Sequence, residues 1–179
     1  HAGQRALDLT GTSTQIELRE LDITPSDAAM ILELAGHLLF VDPLMRGSSE
    51  ALEANTGSQP RLWANGISGD VPILLAHIES AEGLPTLRQL LVAHHFLRRR
   101  GLKIDLVIVN AYPHTYQQEL NERITEVMFT VCDAAVIDHP GGVFLRRRDL
   151  MAADDLQMLE ATARVVVRCD GRALSAILD

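Results

Sequence analysis

The 179-residue chain sets 16 Lys and Arg against 24 Asp and Glu, a formal charge of −8. That balance disfavours nucleic acid or an anionic membrane as the main partner, because both reward clustered positive charge. Apolar residues make up 47% but aromatics only 4%, so the core is expected to be Leu, Ile, Val and Ala. Cys132 and Cys169 are too few for a disulfide framework and read as thiols of a reducing compartment. No apolar run reaches the roughly 20 residues of a membrane helix; residues 28–41 come nearest, and Glu33 and His37 interrupt them. No signal peptide is visible, and a start at His1 rather than Met reads as a piece of a longer protein.

In chain order, residues 1–22 fit neither helical nor strand period, and Gly11-Thr12-Ser13-Thr14 disfavours an unbroken helix. Residues 24–40 read as a helix. Thr24 supplies the N-cap and Pro25 the first turn. Ala28, Ile31, Leu32, Ala35, Leu38 and Leu39 form one apolar face, and Asp42-Pro43 stops it. A short helix is expected from Gly47 through Ala54, then a loop at Gly57-Ser58-Gln59-Pro60. Residues 62–70 read as a polar turn around the only Trp, and residues 71–78 as a buried strand. A helix follows at 85–100, ended by Gly101, then a strand over 103–110. Strand, helix and strand make a parallel, right-handed crossover. A helix over 116–131, short strands at 134–137 and 143–146, a helix near 152–166 and a terminal strand from Val165 complete the chain. The expected fold is α/β: a mainly parallel sheet of three to four strands with flanking helices. An N-terminal helical segment (1–60) precedes one compact α/β unit (61–179).

Candidate chemistry is sparse. Gly66-Ile67-Ser68-Gly69-Asp70 invites a phosphate-loop reading, but phosphate-binding glycines follow a strand and open a helix, whereas these precede a strand. A sharp turn with Asp70 bonding its own loop amides is the simpler reading. Ser68 lacks a nucleophile elbow, since glycine falls one residue early. Arg98-Arg99-Arg100 and Arg146-Arg147-Arg148 read as solvated ends of a helix and a strand. His94 and His95 diverge on a helix, and no Cys or His set has zinc spacing. Among the carboxylates only Asp70 and Asp105 invite comparison with a glycosidase pair, with a structural role for each as the simpler reading. No catalytic residue, metal site or cofactor is therefore assigned. Trp63, Asn65, Ser68 and Asp70 form a candidate sugar-contact or structural motif. Asn110 and Tyr112 mark a candidate pocket at a strand end, where a small-molecule or nucleotide-binding enzyme would hold its ligand.

Leu62-Trp63-x-x-Gly66-Ile67-Ser68-Gly69-Asp70-x-Pro72-Ile73 resembles a signature of bacterial cyclic β-1,2-glucan synthases and related proteins with cellobiose-phosphorylase-like regions. Upstream, Gln15-Ile16-Glu17-Leu18, Ile23-Thr24-Pro25 and Asp42-Pro43 continue the resemblance. Downstream, Arg88-Gln89-Leu90-Leu91, Ile104 to Asn110, Gly141-Gly142-Val143-Phe144 and Ala163-Arg164-Val165-Val166 do the same. The chain departs from the pattern at Gly11, where the family usually has Trp, and at Arg61. The resemblance implies an internal fragment of a large inner-membrane protein that transfers glucosyl units from UDP-glucose. It implies a cytoplasmic, accessory and non-catalytic segment, helical over 1–22, that contacts neighbouring domains of the same chain. β-1,2-Glucan is a candidate ligand; nucleic acid and direct membrane insertion of the fragment are not expected. A stand-alone glucan-binding module is the alternative. Trp63 and Asp70 are expected to pin the helical segment onto the first strand.

Overall fold

The computed structural model describes residue 19, residues 22–40 and residues 59–178. The readings for residues 1–18 and for the helix from Gly47 to Ala54 lie outside the described residues. Four strands form one parallel sheet: β1 (Ile73–Ile78), β2 (Asp105–Asn110), β3 (Val143–Arg147) and β4 (Val165–Cys169), in the order β3-β2-β1-β4. The register sets Ile73 beside Asp105, Leu106 beside Val143 and Leu74 beside Val165. β1 and β2 are buried throughout and read as continuous apolar runs, as central parallel strands do.

Alternation along the strands divides the core in two. Leu74, Ala76 and Ile78 of β1, Leu106 and Ile108 of β2, and Val165 and Val167 of β4 face one way. They meet α1 (Pro25–Leu39), α3 (Leu84–Arg99), α4 (Gln117–Val131) and α6 (Leu174–Leu178). Ile73, Leu75, Val107, Val109 and Phe144 face the other way, under Leu62 of α2 (Gln59–Ala64), Ile67, and Met158 and Leu159 of α5 (Ala153–Thr162). α1 begins as its sequence requires. Thr24 Oγ1 accepts from Asp27 N at 3.2 Å and Asp27 Oδ2 accepts from Thr24 N at 3.0 Å, a reciprocal cap ahead of Pro25.

Two local expectations are corrected. Residues 134–137 are not a strand; a 3-10 turn, Ala134–Val136, leads to a single bridge between Ile137 and Val143. Gly142 explains this, because its backbone is pressed against Val136 O and His139 O, leaving a tight turn and no room for a strand. The stretch read as loop and turn at 59–64 is helical. Leu62 O closes it by accepting from both Asn65 N and Ile67 N at 3.0 Å.

A Cβ on Gly83 would lie 2.2 Å from Cys169 O, where backbone meets backbone and nothing can yield. Gly101 has φ +84° and open space around it. Gly83→Ala should lose about 3 kcal/mol or more in urea unfolding, and Gly101→Ala only about 1 kcal/mol from its left-handed backbone. Equal losses would mean that close packing at Gly83 is not what fixes that corner.

Candidate functional site

The motif loop is built by two buried anchors. Leu62 and Ile67 enter the second core, and glycines carry the turn between and after them, with φ +76° at Gly66 and +77° at Gly69. Trp63 points away. It is 57% exposed, and its indole Nε1 donates to Ser68 O at 3.2 Å. Ser68 Oγ accepts from Asp70 N at 3.2 Å. Leu62 and Ile67 anchor α2 and its turn on the sheet, and the indole hydrogen bond fixes the shape of its own loop.

A polar network holds the loop from behind. Asn65 Nδ2 donates to Arg61 O at 3.1 Å and to Asp155 Oδ2 at 3.3 Å. Arg61 pairs with Asp154 and Asp155 at 3.4 and 3.3 Å. Arg146 Nε donates to Asn65 O at 2.9 Å, and its Nη1 meets Asp138 Oδ1 at 2.8 Å. Asn65 is therefore spent on structure, while Trp63 offers an open aromatic face beside Ser68 and Asp70. Arg146 and Arg147 are corrected from solvated charges to half-buried ones, Arg147 bonding Asp149 Oδ2 at 2.8 Å. Pairing with Asp138 and Asp149, each close in sequence, was the available signal. Arg98, Arg99 and Arg100 are exposed as expected, with the Arg100 guanidinium 3.5 Å from the centre of the Phe96 ring.

The other candidates are structural in their surroundings. Asp105 is 0% exposed; its Oδ1 accepts from Gly141 N at 2.6 Å and its Oδ2 has no hydrogen bond. Burial raises its pKa, the Gly141 N–H opposes this, and the nearby Asp70 charge adds to the rise. A carboxyl sealed in this way does not face a substrate across a cleft. Asn110 is also 0% exposed. Its side chain donates to Gln117 O at 3.0 Å and accepts from Tyr112 N at 3.1 Å, while Gln117 Nε2 donates to Asn110 O. The strand end read as a pocket is filled by this exchange. A cleft of about 50 Å³ lies beside Tyr112 and Tyr116. His94 Nε2 bonds Ile104 O at 2.7 Å within the core. Cys132 and Cys169 are free, and burial raises their thiols to about 11 and about 12, too high for thiolate chemistry at neutral pH. Among the described residues no group of His, Cys, Asp and Glu could hold a metal ion.

One group escaped the sequence reading. His77 is 6% exposed on β1, and its Nε2 lies 3.1 Å from Glu160 Oε1 outside hydrogen-bond geometry. Its apolar neighbours in Ile73–Ile78 gave no hint of a polar partner on α5. Burial first, then the charges of Arg168 and Arg148, lower its pKa to about 4.

Two outcomes follow from these placements. Leu62→Ala should cost about 2–4 kcal/mol and Trp63→Ala at most about 1 kcal/mol in chemical unfolding, since one side chain is buried and the other exposed. His77 stays neutral in the folded state down to about pH 4 but titrates near 6.5 when unfolded. Its contribution to stability is therefore complete above pH 6.5 and lost as pH falls from 6.5 through 4, by up to about 1.4 kcal/mol per pH unit. Unfolding curves at pH 7 and pH 5, with an NMR titration of the imidazole, check this. An imidazole titrating near 6.5 in the folded protein would refute it.

No family model matches the chain. Cyclic beta-(1,2)-glucan synthase NdvB of Rhizobium meliloti (strain 1021) is 31% identical over 165 residues, covering 92% of this chain. The chain spans about 6% of that relative's length. No helix among the described residues is long and apolar enough to cross a membrane. The resemblance carried by the Leu62–Ile73 motif is borne out: over nearly its whole length, this chain is similar to a short segment of a cyclic β-1,2-glucan synthase.

Proposed function

We propose that the chain is an accessory, non-catalytic module of a protein that makes cyclic β-1,2-glucan, and that its Trp63 loop contacts the glucan. The observation that carries the first part is the similarity to the synthase across 92% of the chain. The burial of Asp105 and the filled strand end at Asn110 support a role without its own turnover. The exposed Trp63 supports the second part. A sugar ring presents an apolar C–H face that stacks on an indole, and Ser68 and Asp70 lie beside it to meet hydroxyls. The parent would transfer glucosyl units from UDP-glucose at the cytoplasmic face of the inner membrane. Exposed Leu32, Leu39 and Phe40 on and after α1 suit contact with neighbouring domains of that parent.

Titration of the purified chain with linear and cyclic β-1,2-glucans should shift the Trp63 indole N–H resonance. Trp63→Ala should weaken binding about tenfold or more, the size of one lost stacking contact. The same protein should leave the glucans intact, with or without inorganic phosphate. Turnover would refute the accessory role, and an unmoved indole would refute the glucan contact.

A further inference from the structure

We propose that a groove beside α5 is a second saccharide site, separate from the Trp63 loop, that takes a glucosyl residue of a neutral glucan. This rests on the reading that the chain meets glucan. The groove has a volume of about 350 Å³ and is lined by Arg148, Met151, Leu156, Gln157 and Glu160 among others. That lies within the roughly 300–1,000 Å³ range of small-ligand sites.

Its chemistry suits a pyranose. Leu156, Gln157 and Glu160 stand one, three and four positions apart along α5 and all reach the groove. Met151 and Leu156 give apolar surface for the C–H face of a sugar. Arg148 and Gln157 donate and Glu160 accepts, in planar groups whose fixed forks match adjacent hydroxyls. Arg148 is exposed, and its charge acts on His77 beneath the groove. Glu160 packs against His77 at 3.1 Å, and its side chain is largely buried. A carboxylate in the wall disfavours a phosphate or other anion and favours a neutral polyol.

The position is also the one that the topology prepares. β2 and β3 lie on one side of β1 and β4 on the other, so the sheet order switches between β1 and β4. Ligands of open α/β sheets bind at such switches, toward the carboxyl ends of the strands. The loops there meet closely, Gly83 against Cys169 O and Gly171 against Glu82 O. His77 is the penultimate residue of β1, aligned with Arg168 of β4. Its contact with Glu160 therefore ties the groove to this switch on the α5 side of the sheet.

One NMR titration with linear β-1,2-glucooligosaccharides, read at the Met151 and Leu156 methyls and at the Trp63 indole, tests the site. A parallel titration uses inorganic phosphate. The groove methyls should shift saturably with glucan. Arg148→Met and Gln157→Leu, both at exposed positions, should weaken that response about tenfold while leaving the Trp63 response intact. A response at Trp63 alone would overturn the groove site and leave the glucan reading standing. No response at either place would overturn both. Groove shifts with phosphate and not with glucan would replace the saccharide by an anion.

Discussion

A parallel sheet needs cover on both faces, and among the described residues the second face is covered by little chain. One face rests against four helices. The other depends on the six-residue α2, the turn that follows it, and the ten-residue α5. Such a short α2 has no stability of its own, because the cost of nucleating a helix is not recovered in so few residues. It persists because Leu62 and Ile67 bury their side chains against Ile73, Val107 and Phe144, and because Arg146, Asn65 and Asp155 lock its exit. Removing those anchors would expose strand residues that have no polar alternation to present to water. The Gly-Ile-Ser-Gly sequence of the turn is thus explained by the need to reverse direction and still deliver Ile67 to the sheet.

The sheet and its parallel order were legible because their signals are local and strong. The apolar runs at 71–78 and 103–110 are too continuous for a half-exposed strand, and the helix between them has a clean inner face and a glycine stop. The N-cap of α1 could be read from Thr24 to Asp27 for the same reason. What failed was decided by tertiary contact. Gln59–Ala64 has the composition of a loop, and only the sheet beneath Leu62 makes it a helix. Ala134–Ile137 has strand-forming Val and Ile, yet the packing of Gly142 against Val136 O turns it. Arg146 showed a nearby partner in Asp138, but not its second acceptor, the carbonyl of Asn65 81 residues away in sequence. The pairing of His77 with Glu160 was hidden likewise, since a histidine in an apolar run carries no mark of what faces it.

Trp63 is where stability and function separate. A motif residue can serve the fold or stand open to a ligand, and the motif contains both buried and exposed residues. Leu62, Gly66, Ile67 and Gly69 all have a structural reason: two fill the core and two allow left-handed turns. The Trp63 side chain is tied by a hydrogen bond from its indole to Ser68 O within its own loop, and more than half of its surface is open. An exposed indole held still by that bond loses little conformational freedom when a ring stacks on it. The groove beside α5 has a similar arrangement, for Glu160 packs against His77 on one side while facing the cavity on the other. Both places offer side chains fixed on the protein side and open on the other. The sheet thus acts as a rigid support, and the face that α2 and α5 cover carries both the Trp63 loop and the groove proposed as saccharide sites.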